Sequence, residues 1–85
     1  MPSKTVTVGS SIGLHARPAA LIAEAASSLG SAVTIANEGG VPVDAGSALL
    51  IMTLGSKFGD RVVVSSDDQA SLDKVADLVE QDLDA

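Results

Sequence analysis

The order in which strand-like and helix-like segments follow one another is the feature that most restricts the fold of this chain. Runs of β-branched or alternating residues predict four strands, over Lys4–Val8, Ala32–Asn37, Val41–Val43 and Arg61–Ser65. Apolar residues at helical spacing predict three helices, which begin near Pro18, after Ser47 and near Gln69. The order β-α-β-β-α-β-α predicts an α+β fold of two layers, with the helices on one face of the sheet.

The sequences of two predicted strands indicate whether each strand is central or at an edge of the sheet. The uninterrupted Val62–Val64 run is typical of a central strand that is at least partly covered on both faces. Pro42 cannot donate a backbone hydrogen bond, so its strand is expected at an edge. The first β-α-β unit is predicted to be split, with another strand inserted between its two strands.

The last helix has a predicted start and an apolar stripe. The segment Ser66–Gln69 fits a capping box, with Ser66 as the cap of the helix. The stripe expected to face the core consists of Leu72, Val75, Ala76, Val79 and Leu83.

Length and the scarcity of reactive residue types exclude several kinds of site. A chain of 85 residues is expected to form a single domain, over residues 1–85, that buries about 60% of its surface. Such a domain cannot enclose a dinucleotide together with a substrate, so any chemistry is expected at a shallow surface site. There is no cysteine and only one histidine, which excludes a disulfide, a thiolate site and a histidine-rich metal cluster. We therefore expect neither a metal nor a cofactor.

Charge and hydropathy restrict the partners. The net charge is −6 and the one aromatic residue is Phe58, which argues against nucleic acid and against an anionic membrane surface. The acidic excess lies wholly after Gly59, so a site for an anion is expected before it. The N-terminus lacks an apolar signal segment, and the apolar run Ala48–Met52 is too short to span a membrane. The expected location is therefore the cytoplasm.

His15 is the residue of this chain that is best suited to a chemical reaction. It lies in the sequence Gly-Leu-His-Ala-Arg-Pro-Ala at the predicted start of the first helix, where free N–H groups and a partial positive charge favour an anion such as phosphate. A neutral imidazole there can act as a nucleophile. The amides of Ala16 and Arg17 and the Arg17 guanidinium could hold the phosphate oxygens. The alternative is an ordinary surface histidine, but a histidine at a position that usually holds Ser, Thr, Asp or Asn favours a functional role.

The segment Gly13–Ala19 resembles the active-site signature of the HPr family, the histidine-containing phosphocarriers of the bacterial phosphotransferase system. The resemblance covers the whole chain. It implies an open-faced β-sandwich whose antiparallel sheet has the order 1-4-2-3. It also implies that His15 accepts a phosphoryl group on Nδ1 from phosphorylated enzyme I, which derives it from phosphoenolpyruvate, and donates it to an enzyme IIA component during sugar uptake. Arg17 would pair with the phosphate. A protein of this kind is a carrier and not an enzyme.

The family resemblance also suggests a regulatory serine. Ser47 matches the serine that a kinase phosphorylates in family members, although Gly46 stands where many of them have a basic residue. The alternative is that Ser47 only caps the second helix.

A partner-docking surface is the other implication of the resemblance. The residues expected to contact enzyme I and enzyme IIA components are Ala20, Ala48, Leu49 and Met52. Leu49 and Met52 are expected to be partly exposed, whereas Leu50 and Ile51 are expected in the core. The chain is expected to be a monomer.

The sequence is also compatible with two other functions. One is a regulatory paralogue that a dedicated enzyme I phosphorylates and that acts on control proteins; its signature would be the same. The other is a small-ligand-binding α+β module without phosphoryl transfer, which would need a concave apolar pocket and would not need His15 at a helix start.

Overall fold

Four antiparallel strands form one sheet in the order β1-β4-β2-β3, and helices cover one of its faces. The structure is a computed structural model that describes residues 2–11 and 13–81. The strands are β1 (Ser3–Thr7), β2 (Val33–Asn37), β3 (Val43–Asp44) and β4 (Arg61–Ser66). The helices are α1 (Ala16–Ser28), α2 (Ala48–Thr53) and α3 (Gln69–Glu80). The predicted fold class, element order and sheet order are confirmed.

β4 is the central strand because it pairs with β1 on one side and with β2 on the other. Val64 stands opposite Lys4 in β1 and Ile35 in β2. The Val62 and Val64 side chains are fully buried and Val63 is half-buried, as the uninterrupted valine run predicts. Both neighbours run antiparallel to β4, so β1 and β2 are parallel to each other and the β1-α1-β2 unit is split by β4.

The core lies between the inner face of the sheet and the helices. Apolar side chains from α1 and α3 pack there at helical spacing, and α1 also packs against α2. α2 places one fully buried side chain in this core, that of Ile51. The other largest buried apolar side chains are Ile22, Ile35, Leu72, Val75 and Val79. None of the helices in the described ranges is both long and apolar enough to cross a membrane.

The third strand is displaced from its predicted position. It covers Val43–Asp44 instead of Val41–Val43, and its residues pair with Thr34 and Ile35 of β2. Val41 is 81% exposed, because Gly39 and Gly40 form a turn before it and Pro42 has no N–H to donate to a neighbouring strand. The predicted edge position of the strand is nevertheless correct.

The cap of α3 also differs from the prediction. Ser66 stays in β4, where its buried hydroxyl donates to the Ala32 carbonyl oxygen at 2.9 Å. Asp68 caps the helix instead, and its carboxylate accepts the Ser71 hydroxyl at 2.6 Å and the Ser71 N–H at 3.1 Å. These bonds, first the hydroxyl and then the amide, lower the pKa of Asp68 below its usual value. Of the predicted stripe, Leu83 lies outside the described residues.

The Asp68 cap gives a pH-dependent contribution to stability. Because the folded-state pKa is lowered, this contribution is complete above the unfolded-state pKa and is lost as the pH falls through the folded-state pKa. The Asp68→Asn variant keeps a capping oxygen but does not titrate. We expect the difference in unfolding free energy between wild type and Asp68→Asn to be largest near neutral pH and to shrink below about pH 4.

Urea unfolding at a series of pH values measures this difference. Asp67→Asn is the matched control, because the exposed Asp67 side chain has no hydrogen bond with a described residue. A difference that stays constant from pH 7 to acid would contradict the role of the Asp68 carboxylate.

Candidate functional site

His15 lies at the start of α1 as the N-cap residue, in extended backbone conformation. Its carbonyl oxygen accepts the Ala19 N–H at 2.9 Å, so the first turn of the helix is formed. Within the described part of the chain, the amides of Ala16 and Arg17 donate to no residue, and Pro18 has no N–H. Two donors therefore point out of the helix start beside the half-buried imidazole, which is the geometry that favours an anion.

The orientation of the imidazole restricts which nitrogen can react. Nδ1 lies 3.2 Å from the Gly13 carbonyl oxygen, which also accepts the His15 N–H at 3.0 Å. Only a protonated Nδ1 can donate to that oxygen. In a neutral ring with this tautomer, the lone pair lies on Nε2. A reaction at Nδ1 therefore requires the proton on Nε2 and a turn of the ring away from Gly13.

The charges around His15 favour an incoming phosphate. Arg17 is exposed and makes no ion pair with a described residue, so its guanidinium is available to a ligand. The first turn of α1 contains no acidic residue that would compete for it or repel a phosphate. The arrangement can hold a phosphate group with the planar donors of one guanidinium and two backbone amides.

The loop before His15 is fixed at both of its ends. At its start, the Gly9 N–H donates to the Val79 carbonyl oxygen of α3 at 3.0 Å. At its end, the N–H of the buried Leu14 donates to the Ser56 carbonyl oxygen at 3.0 Å. Gly13 has a φ of +90°, and a Cβ there would overlap the Ser56 carbonyl oxygen. Glycine is therefore required for the loop to approach the Gly55–Gly59 turn so closely.

Two side chains that the sequence analysis missed support that turn. The Ser56 hydroxyl is buried and donates to Asn37 Oδ1 at 2.5 Å, and Asn37 Nδ2 donates to the Leu54 carbonyl oxygen at 2.6 Å. The glycines around Ser56 indicate a turn in the sequence, but no local signal indicates the partner of its hydroxyl.

Ser47 is the N-cap of α2, and its half-buried Oγ accepts the Leu50 N–H at 3.3 Å. The capping role that the sequence allows is therefore present in the structure. A regulatory role for Ser47 stays a prediction.

The residues predicted to dock partners lie on the surface of α1 and α2. Leu49 is 69% exposed and Met52 is 37% exposed, as expected, while Ala20 is exposed and Ala48 is half-buried. Ile51 is buried, but the expectation that Leu50 is in the core was wrong, since it is 39% exposed. A helix of six residues turns only one of these side chains fully toward the core.

Two further exposed apolar side chains were missed. Leu21 follows Ala20 on α1 and is 39% exposed, and Phe58 in the Gly55–Gly59 turn is 63% exposed. Phe58 is therefore an exposed aromatic residue on the same turn that holds the His15 loop.

The groove between the end of α1 and strands β2 and β3 does not match the pocket that a ligand-binding module needs. Its lining consists mainly of small and polar residues, and it includes neither His15 nor Arg17. Among residues 2–11 and 13–81, no group of three or more His, Cys, Asp or Glu side chains could hold a metal ion.

Known proteins similar to this chain are phosphocarriers. The family model described as "PTS HPr component phosphorylation site" matches residues 2–81. Phosphocarrier protein HPr of Streptomyces coelicolor is 41% identical, over 99% of this chain and 94% of the relative. Phosphocarrier protein NPr of Proteus mirabilis is 27% identical, over 95% of this chain and 93% of the relative.

A solved structure shows the same fold. The crystal structure of phosphocarrier protein HPr from Bacillus anthracis superimposes with a TM-score of 0.84 at 30% identity, covering 92% of this chain and 95% of that one. The match of the family model over nearly the whole chain, together with these likenesses, establishes that the chain belongs to the HPr family of phosphocarrier proteins of the phosphotransferase system, which carry a phosphoryl group and are not enzymes.

Proposed function

We propose that His15 accepts a phosphoryl group on Nδ1 from phosphorylated enzyme I and donates it to enzyme IIA components during sugar uptake. The observation that carries this proposal is the His15 ring at the start of α1, beside two amides and an Arg17 guanidinium that have no partner among the described residues. The 41% identity to an HPr, against 27% to an NPr, favours sugar transport over the regulatory branch.

The transfer step begins with a movement of the ring. The neutral imidazole carries its proton on Nε2 and turns away from the Gly13 carbonyl oxygen, which frees the lone pair of Nδ1. This lone pair attacks the phosphorus atom, and the bond between phosphorus and the donor side chain of enzyme I breaks with its electron pair. In the second transfer, a histidine of enzyme IIA attacks the phosphorus atom, and the bond between phosphorus and His15 Nδ1 breaks with its electron pair returning to Nδ1. No oxidant, metal or cofactor takes part.

The helix start stabilises the phosphorylated form moderately. The N-terminal end of a helix stabilises an anion by about 0.3–1 kcal/mol at an exposed site and by up to about 2 kcal/mol where it is partly buried. The amides of Ala16 and Arg17 and the Arg17 side chain supply the donors. Moderate stabilisation suits a carrier, because a phosphoryl group that is held too strongly would not be passed on.

The exposed apolar residues of α1 and α2 fit the docking of those enzymes. Within this proposal, enzyme I and enzyme IIA components contact Ala20, Ala48, Leu49 and Met52, while a serine kinase acts on Ser47. Leu49 and Met52 offer exposed apolar area, and methionine adapts its shape to more than one partner. The protein acts in the cytoplasm as a monomer.

The proposed function is tested by labelling. Incubation with enzyme I and ³²P-phosphoenolpyruvate is expected to label the chain at His15, and the label should be lost in acid because a phosphoramidate hydrolyses there. The His15→Ala variant should take up no label. Acid-stable label as the main product, or full labelling of His15→Ala, would exclude His15 as the acceptor.

The Arg17→Lys variant tests the phosphate-pairing role. Lysine keeps the positive charge but loses the planar fork of donors that matches phosphate oxygens. Because Arg17 is exposed, the change should alter the unfolding free energy by less than about 0.5 kcal/mol. Rapid-quench measurement of transfer should show a rate about tenfold lower, equivalent to about 1.4 kcal/mol. Transfer at the wild-type rate would show that Arg17 does not contact the phosphate.

The Ser47→Asp variant tests the docking surface. Aspartate also caps helices well, so the thermal melt should change little. The new charge lies beside the exposed Leu49 and must be desolvated when a partner covers it. Binding to enzyme I, measured by calorimetry, should weaken by about 2 kcal/mol, or roughly thirtyfold, while Ser47→Ala binds like wild type. Wild-type binding by Ser47→Asp would place the docking surface elsewhere.

A further inference from the structure

The turn that holds the His15 loop contains two glycines in the left-handed region of φ. Gly55 and Gly59 both have positive φ values, of +63° and +86°, with open space where a Cβ would lie. Glycines in this region of φ allow many backbone conformations. The Ser56 carbonyl oxygen accepts the Leu14 N–H, and within the turn its peptide unit is held by one exposed bond, from the Lys57 N–H to Asp60 Oδ2 at 3.0 Å.

The two halves of the turn are anchored differently. Its second half is bound to the end of β1, because the Gly59 N–H donates to Val8 and the Val8 N–H donates to Asp60. Its first half is held by the Gly55 N–H, which donates to the Met52 carbonyl oxygen at 3.2 Å, and by the Asn37 side chain, which contacts the turn on both sides of Gly55. Nδ2 donates to the Leu54 carbonyl oxygen at 2.6 Å, and Oδ1 accepts the Ser56 hydroxyl at 2.5 Å.

This arrangement connects β2 to the imidazole by three successive links. Asn37, at the end of β2, fixes Ser56 through the side-chain hydrogen bond. The Ser56 carbonyl oxygen then holds the Leu14 N–H at 3.0 Å, and Leu14 directly precedes His15. Ser56 is 5% exposed, so water does not readily replace its hydroxyl bond, and loss of Asn37 would leave a buried hydroxyl without its acceptor.

We propose that Asn37 and Ser56 are positioning residues for phosphoryl transfer, because their side-chain hydrogen bond fixes the Ser56 carbonyl oxygen that holds the loop of His15. The inference rests on the proposed function of His15. The pair touches neither the phosphate nor the donors at the start of α1, and it acts only through the Gly13–Leu14 segment. Loss of the Ser56 hydroxyl is expected to lower the rate of transfer more than it weakens the docking of partners, because Ser56 lies outside α1 and α2. Loss of Asn37 also removes the bond to Leu54, the C-cap of α2.

Three variants test the pair: Ser56→Ala, Asn37→Ala and the double variant. Single-turnover transfer from phosphorylated enzyme I is measured as a function of enzyme I concentration. Because small misplacements of a reacting group reduce rates strongly, the maximal rate is expected to fall about tenfold in Ser56→Ala, with the half-saturating concentration unchanged. Asn37→Ala should lose at least as much rate, since it also removes the bond to the C-cap of α2. The double variant should fall no further than Asn37→Ala, because that single variant already removes the bond between the two side chains.

A matched control separates positioning from stability. Ser66→Ala removes another buried serine hydroxyl, which donates to the Ala32 carbonyl oxygen and accepts the Asp68 N–H at the other end of β4. It is expected to lower the melting temperature to a similar extent while the transfer rate stays that of wild type. The hydrogen-exchange rate of the Leu14 amide measures directly how firmly the Ser56 carbonyl oxygen holds it. This rate should be faster than in wild type for Ser56→Ala and Asn37→Ala but not for Ser66→Ala.

The outcomes distinguish this inference from the function on which it rests. Label on the wild-type chain, with unchanged rates in Ser56→Ala and Asn37→Ala, would overturn the inference alone. An equal loss of transfer rate in Ser66→Ala would show that the rate falls only because the fold is less stable. If the fold-reductions in rate of the two single variants multiply in the double variant, the residues do not act as a pair. Either result would also overturn the inference. A wild-type chain that takes up no label would overturn the proposed function and the inference together.

Discussion

The hydrogen bonding of β4 to two neighbours at once is the constraint on which the rest of the structure depends. Because β1 and β2 both run antiparallel to β4, their carboxyl ends meet the start of β4 at the same end of the sheet. The loop that follows β1 carries His15, the end of β2 carries Asn37, and the turn before β4 carries Ser56. Three segments far apart in sequence are therefore brought to one place by the backbone ladder alone.

The parts of the fold that were predicted correctly are those with local signals. The valine run of β4, Pro42 near an edge strand and Gly30 at the end of α1 each restrict the backbone where they stand. The candidate site at His15 and Arg17 was predicted from the same kind of local signal, since a helix start with a nearby arginine can be recognised within seven residues.

The features that were missed depend on contacts between distant segments. The Asn37–Ser56 bond spans 19 residues, and nothing local to either residue specifies the other. Ser66 and Asp68 are both good capping residues, and the choice between them follows from the pairing of Ser66 with Val33 in β2. Leu50 was placed in the core because its neighbours are equally apolar, and only the direction in which α2 packs decides which of them is buried.

The shallow attachment of α2 has a consequence for its dynamics. Six residues are too few for a helix that is stable without tertiary contacts, and Ile51 is the one side chain of α2 that is fully buried. Burial of one isoleucine is worth about 1.5–3 kcal/mol, which is well below the global stability of about 5–15 kcal/mol typical of a small domain. Local opening of α2 should therefore be far more frequent than unfolding of the sheet. This segment can therefore adjust its shape against different surfaces without opening the sheet.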